Sequence, residues 1–215
     1  MSNPFFSVII SAHNAENHIR KLLDSIACQH FRDYELIVIC DNCTDSTESI
    51  AREYGAITES VSFGRDGLAR DRGIEIASGE WILFADDDDW FLHEYCFTQL
   101  ADVLIPHGDN FNILHFGCVI KNKGYKPPEG DELFTPRIAH VWTKAWNRDA
   151  VLDAGARFGD ATFCSDTYFL KAMREHSGQN YSTLNMPIYY YNFMRRGSQT
   201  DMFCKGIIRQ SPVAE

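Results

Sequence analysis

No segment of this 215-residue chain approaches the roughly 20 apolar residues needed to cross a bilayer. Met1-Ser2-Asn3-Pro4 carries no basic stretch leading into a long apolar one, so no signal peptide is expected. Positive charge is scarce. Lys plus Arg number 20 against 30 Asp plus Glu, a net charge of −10 with a pI of about 5.2. That balance argues against nucleic acid as a partner, because its backbone demands Lys and Arg footprints. Anionic lipid headgroups would also repel the chain, which leaves peripheral membrane contact to a local basic patch. The seven cysteines (Cys28, Cys40, Cys43, Cys96, Cys118, Cys164, Cys204) are odd in number and irregularly spaced. Cys40 and Cys43 form a C-x-x-C that permits a redox pair, but no second pair or nearby His completes a zinc set. Reduced thiols in a cytoplasmic protein are the expectation. No G-x-G-x-x-G follows the first apolar run, which disfavours a dehydrogenase. Internal repeats and low-complexity tracts are missing as well.

What is present suffices for one compact domain with a distinct second half: 45% of the residues are hydrophobic and 13% aromatic. Phe5–Ser11 reads as a buried strand. Ile19, Leu22, Leu23 and Ile26 stripe an amphipathic helix over Ala15–Gln29, with Asn14 as its N-cap. Tyr34–Cys40 is a second strand, a helix over Ser46–Tyr54 is capped by Thr44 or Asp45, and Ala56–Val61 is a short third strand. Phe63–Ala77 holds the Gly-rich Gly64-Arg65-Asp66-Gly67 and then a helix that Gly79 ends. This alternation predicts a mostly parallel sheet with right-handed crossovers, whose ligands bind beyond the strand carboxyl ends.

The apolar run Ile82–Ala85 ends in four consecutive carboxylates, Asp86–Asp89. Adjacent carboxylates repel, and in a partly dry cleft some of their pKa values rise unless a cation is present. Mg2+ or Mn2+ takes such oxygens and bridges to substrate phosphates. A metal–diphosphate site is the functional reading, and a solvated acidic loop is the plain one. His13-Asn14 and Asp41 also fall at predicted strand ends, so three polar clusters are expected on one rim. Arg65 and Arg70 are placed to neutralise a phosphate or to orient an acidic residue; exposed helix-face arginines are the alternative.

The second half is less regular. A helix over Glu94–Ile105 and a strand over Asn112–Ile120 precede Lys121–Pro136, whose Gly, Pro and charge read as a surface loop. That loop divides residues 1–120 from 121–215. Lys144 lies between Trp142 and Trp146, a helix spans Asp149–Ala154, and Asp166 opens another with Phe169, Leu170 and Met173. Ile188–Asn192 is an aromatic strand, followed by Met194-Arg195-Arg196.

Four ordered pieces resemble family 2 of the nucleotide-sugar glycosyltransferases, with the GT-A (Rossmann-like) fold. They are Ser-Val-Ile-Ile-Ser-Ala-His-Asn at 7–14, Leu-Ile-Val-Ile-Cys-Asp-Asn-Cys-Thr-Asp-Ser-Thr at 36–47, Gly-Leu-Ala-Arg-Asp-Arg-Gly-Ile at 67–74 and Ser-Gly-Glu-Trp-Ile-Leu-Phe-Ala-Asp-Asp-Asp-Asp-Trp at 78–90. The resemblance implies an inverting, metal-dependent transfer from a UDP-sugar or similar donor to a glycan or glycolipid acceptor in surface-polysaccharide synthesis. It implies that Ser11, Ala12, His13 and Asn14 line the base pocket and that Asp41 reads the base. Asp86 then addresses the ribose, Asp87 is a spacer on the nucleotide side, and Asp88 with Asp89 holds Mn2+ or Mg2+. Asp166 matches the Asp of a Glu-Asp pair and becomes the general base, although Ser165 replaces the Glu. Lys144, Arg195 and Arg196 are candidates to steady the leaving diphosphate. Trp90, Trp142 and Trp146 are candidates to stack on acceptor sugars, or else pack the core. Cys40, Cys43 and Asp71 depart from the family's usual Asp, Ser and Asn. Two alternatives stay open: a catalytically silent nucleotide-sugar-binding module and a sugar-phosphate nucleotidyltransferase. The latter wants a Gly-rich basic loop after the first strand, and Ser11–Asn17 has neither Gly nor Lys.

Overall fold

The computed structural model of the protein describes residues 3–128, 140–161, 165–196 and 205. Three apolar runs form β1 (Phe6–Ala12), β2 (Tyr34–Asp41) and β4 (Trp81–Asp86), and the mostly polar Ile57–Val61 forms β3. They run parallel in the order β3-β2-β1-β4. Their connections carry α1 (Ile19–Ala27), α2 (Thr47–Glu53) and α3 (Asp66–Ile76). Every residue of β1 is buried, as a strand covered on both faces requires. Alternate side chains therefore feed two cores. Val8, Ile10, Val38 and Leu83 join the apolar stripe of α1 on one face. Ile9, Ile39 and Phe84 join Ala69 and Ile74 of α3 on the other.

The second part of the chain extends this sheet. It supplies β5 (Trp90–Phe91), α4 (Cys96–His107), β6 (Ile113–Ile120), β7 (Gly124–Lys126), β8 (Lys144–Asn147), α5 (Arg148–Asp153), α6 (Asp166–Ser177) and β9 (Tyr181–Tyr191). β8 inserts antiparallel between β4 and β6, whereas β9 pairs parallel with β6 and antiparallel with β5. β7 folds back on β6. One nine-stranded α/β sheet results, with a parallel half and a mixed half. Phe97 and Leu100 of α4 complete the first core, and Val151 of α5 with Phe169 of α6 completes the second.

Several local expectations shift. α1 begins at Ile19, four residues late, because Asn14 adopts a left-handed φ of 49° and its Oδ1 accepts the Thr44 N–H at 2.8 Å. It joins two loops instead of capping a helix. β9 starts at Tyr181, where exposed polar residues and Pro187 hide the alternation, and its ladder with β6 changes register on both sides of Gly117. Of the expected 121–136 loop, the part from 129 lies outside the described residues.

Gly79 is not a helix cap either; that position belongs to Ala77. The Gly79 N–H donates to Ser7 Oγ at 2.8 Å, and a Cβ there would stand 2.7 Å from Ser7 N and 2.8 Å from Phe6 C. These are backbone atoms of a central strand and cannot step aside. Gly79→Ala is therefore expected to cost about 1–3 kcal/mol by overpacking, read by urea unfolding. A loss of only a few tenths would mean that the β4 entry is pliant.

Candidate active site

The sheet reverses its build order at β1, which has β2 on one side and β4 on the other. This is where an open α/β sheet forms a crevice at its carboxyl edge. Ser11 pairs with Asp86 across β1–β4, and Ala12 pairs with Cys40 across β1–β2, so the strand ends finish level. His13 donates from Nδ1 to the Asp41 carbonyl at 2.7 Å. The Asp41 carboxylate accepts the N–H groups of Phe63, Gly64 and Arg65 at 2.8, 2.9 and 2.8 Å. Asp41 is buried and fixes the loop before α3, so its oxygens are already engaged by backbone. From that loop Arg65 reaches the Asp160 carbonyl with Nε at 3.1 Å.

Arg70 is the hub of the crevice. Its side chain, 8% exposed, bonds Asp66 at 2.6 Å, Asp86 at 2.6 Å and Asp166 at 3.1 Å. Ser11 Oγ completes the group by donating to Asp66 Oδ1. Asp66 and Arg70 are an i,i+4 pair on α3, while Asp86 ends β4 and Asp166 begins α6. Gly67 makes this approach feasible: a Cβ there would lie 2.5 Å from the Gly159 carbonyl oxygen and 3.0 Å from Ser165 Cβ. Burial opposes the Arg70 charge, yet Asp66, Asp166 and Asp86 hold it protonated above the usual arginine range.

The four aspartates have four different surroundings. Burial raises Asp86 to about 7 against the pull of Arg70, with Asp66 and Asp88 adding to the rise. Water reaching its 28% exposed side chain tempers that rise. Asp87 is more than a spacer, since it faces His18 Nε2 at 3.2 Å and accepts the His13 N–H at 3.4 Å. Asp88 is raised by burial and by Asp87, opposed by Arg195, whose Nε donates to its Oδ2. Met194, just before Arg195, has a φ of 60°, a left-handed conformation that bulky residues avoid. Asp89 is raised well above its ordinary value by burial, then by Asp86 and Asp88. Its Oδ1 accepts the Asn192 N–H at 2.8 Å, and its Oδ2 is buried without a hydrogen-bond partner.

Among the described residues no three His, Cys, Asp or Glu form a ready-made metal cage. Mg2+ and Mn2+ do not require one, because one or two carboxylates plus substrate phosphates suffice. Raised carboxylates and an orphaned Asp89 oxygen suit such an ion.

Other candidates fall outside the crevice surface. Trp146 is fully buried, with Nε1 on the Val141 carbonyl at 3.0 Å and its ring edge-on to Phe169. Trp142 is 2% exposed and stacks between His140 and Tyr189. Neither offers a face to a sugar, so core packing replaces the acceptor role expected of both. Trp90 is stacked on Tyr190 at 4.0 Å and carries Lys21 Nζ 2.9 Å from its ring centroid, so both faces are covered. Lys144 is 1% exposed and donates to the His140 carbonyl at 2.7 Å and Thr143 Oγ1 at 3.1 Å. Burial lowers it to about 7, eased by Asp166. It acts from beneath Asp166 and does not line the cleft, contrary to the diphosphate contact expected of it. Arg196 is exposed and meets no carboxylate among the described residues. Sequence reasoning missed Asp66, His18, Tyr189 (whose hydroxyl accepts the Asp86 N–H at 3.0 Å) and Asn192. Only Asp66 left a signal, its i,i+4 spacing from Arg70.

Removing one member of a buried charged cluster leaves the others unpaired, so Arg70→Met is expected to cost about 3–5 kcal/mol in chemical denaturation. Arg70→Lys should recover only part of it, because a point charge cannot address three carboxylates in fixed directions. A loss below about 1 kcal/mol, the range of exposed pairs, would show that the cluster is solvated.

The model for glycosyl transferase family 2 matches residues 7–177. The putative glycosyltransferase EpsH of Bacillus subtilis (strain 168) is 34% identical over 218 residues, covering 89% of this chain and 61% of that protein. Poly(ribitol-phosphate) beta-N-acetylglucosaminyltransferase TarS of Staphylococcus aureus (strain Mu50) is 36% identical over 208 residues, 89% of this chain and 36% of that one. The crystal structure of S. aureus TarS 1–349 in complex with UDP-GlcNAc matches with a TM-score of 0.80 at 23% identity, over 92% of this chain and 60% of that chain. Glucosyl-3-phosphoglycerate synthase from Mycobacterium tuberculosis, in complex with Mn2+, UDP-glucose and phosphoglyceric acid, matches with a TM-score of 0.65 at 18% identity, over 93% and 74%. These structures share the GT-A fold of this chain. With the family model spanning the crevice from β1 to the end of α6, the chain belongs to glycosyl transferase family 2.

Proposed function

We propose that the protein transfers a sugar, with inversion, from a UDP-sugar to a hydroxyl of a glycan or glycolipid acceptor in surface-glycan synthesis. The observation that carries this reading is the meeting of Asp86–Asp89 and Asp166, through Arg70, at the switch point beside the Ser11–Asn14 loop. TarS with UDP-GlcNAc and the Mn2+-containing neighbours support the donor class and a divalent ion. Among the described residues no helix is long and apolar enough to cross a membrane. The described cysteines are free thiols, which supports a reducing, cytoplasmic setting. Residues 1–120 are assigned mainly to the donor, and residues 121–215 contribute to the acceptor site.

The geometry supports a division of labour. Ser11–Asn14 and the loop held by Asp41 wall the base pocket, and Asp86 presents an oxygen toward the ribose. Asp88 and Asp89 would hold Mn2+ or Mg2+, which when bound neutralises charge on the departing diphosphate. Arg195, now on Asp88, would steady the same phosphates. Asp166 removes the proton of the acceptor hydroxyl as its oxygen attacks the anomeric carbon from the face opposite the diphosphate. The new C–O bond forms as the bond to the diphosphate breaks. Burial raises the Asp166 pKa against the pull of Arg70, so the ionised carboxylate accepts a proton more readily than an exposed one.

Asp166→Asn keeps the size of the side chain while removing the base. It is expected to lower turnover by about 10²–10⁴-fold, with the UDP thermal shift unchanged. Near-normal release of UDP from UDP-sugars by this variant would remove Asp166 from the role. Release of pyrophosphate from nucleoside triphosphate and sugar phosphate would instead indicate nucleotidyl transfer. UDP should stabilise the protein more in Mn2+ than in EDTA, and Asp88→Asn should lose the difference. Equal shifts in the two buffers would exclude the metal.

A further inference from the structure

On the α1 side of the tetrad a cavity of about 440 Å³ opens between α1, the end of β6 and the β5–β9 ladder. Lys21 and Lys121 enter it from α1 and from the end of β6, and Trp90 and Tyr190 form a stacked aromatic pair in its wall. Asp88 and Asn192 close it toward the tetrad. Asn192 donates to the Asp88 carbonyl at 3.3 Å and from its N–H to Asp89 Oδ1 at 2.8 Å, so the cavity and the tetrad share a wall.

The other charges around this cavity are engaged. Arg20 pairs with Glu53 at 2.9 Å, His18 faces Asp87, Glu16 accepts the Ser46 N–H at 3.1 Å, and Asp88 is held by Arg195. Lys21 and Lys121 remain without a carboxylate among the described residues. The Lys21 ammonium lies over Trp90, and Lys121 donates to Asn192 Oδ1 at 2.9 Å. Although Lys21 is exposed, desolvation first and then repulsion from Lys121 weigh against its charge. A doubly charged oxyanion between them relieves both effects, whereas a neutral sugar relieves neither. The volume exceeds that of a bare oxyanion and falls in the range of small-molecule sites. We propose that this cavity binds the phosphate, with its attached polyol or sugar, of a phosphate-bearing acceptor, gripped by Lys21 and Lys121. The role as acceptor rests on the transferase reading; the anion site rests on the cavity itself.

The full chain is titrated with glycerol 3-phosphate, inorganic phosphate, glucuronate and glycerol in saturating UDP and Mn2+, with tryptophan fluorescence as the readout. Trp90 lies at the cavity, while Trp81, Trp142 and Trp146 are buried. Glycerol 3-phosphate is expected to give a saturable change that glycerol does not. Lys21→Gln and Lys121→Gln should each weaken it tenfold or more, Lys21→Arg should preserve it, and the UDP thermal shift should stay as in the wild type. Inorganic phosphate binding as tightly as glycerol 3-phosphate would overturn the polyol part, and glucuronate binding equally well would overturn phosphate as the ligand. Loss of the signal on saturation with UDP would assign the phosphate to the donor site and overturn the proposal. So would lysine variants that bind like the wild type. Absence of any UDP shift in the wild type would defeat the transferase reading instead, and the titration repeated without UDP would then judge the cavity alone.

Discussion

A single buried guanidinium ties the crevice together. Arg70 draws together carboxylates from α3, β4 and α6, so the first and second parts of the chain meet at one point of charge. One cation among three anions leaves an excess of negative charge in a site poor in water. Burial then costs the acids more than the arginine: Asp86 and Asp166 are raised, while Arg70 stays firmly charged. Such a cluster adds little net stability compared with a well-packed apolar core, but it fixes geometry. The helix that bears Asp166 is placed relative to the strand that bears Asp86 by a rigid fork instead of by loops.

The same excess explains why the tetrad is not four equivalent groups. Each aspartate has been given its own counterweight: Arg70 for Asp86, His18 for Asp87, Arg195 for Asp88 and the Asn192 N–H for Asp89. These partners come from α3, from the loop before α1 and from the segment after β9. The turn that follows β4 is therefore a junction of elements far apart in sequence.

In the parallel half β1, β2 and β4 were legible because they are doubly buried and read as uninterrupted apolar runs, as Val8-Ile9-Ile10 and Leu36–Ile39 do. In the mixed half β6, the end of β9 and the helices α4, α5 and α6 were legible, and the remaining strands were not. β5 is two residues long, β8 is inserted out of sequence order between β4 and β6, and β9 slips register near Pro187 with four of its eleven residues exposed. Local pattern carries no information about such insertions. At the site, strand-end position pointed to Asp41 and Asp86–Asp89, and family pattern pointed to Asp166. The tryptophans misled because aromatic rings serve cores and sugars equally well, and only burial separates the uses. Lys144 misled for a related reason, since nothing in sequence distinguishes an ammonium under a site from one lining it.

If the proposed ion binds Asp88, it competes for the oxygen that Arg195 occupies, and one oxygen cannot serve both fully. Ion entry and the posture of the segment after β9 are thus two ends of one seesaw. By thermodynamic reciprocity, whatever draws Arg195 away tightens the grip on the ion by the same factor that the ion loosens Arg195. Under the proposed function, a segment near the end of the described fold would thereby take part in the first event of loading.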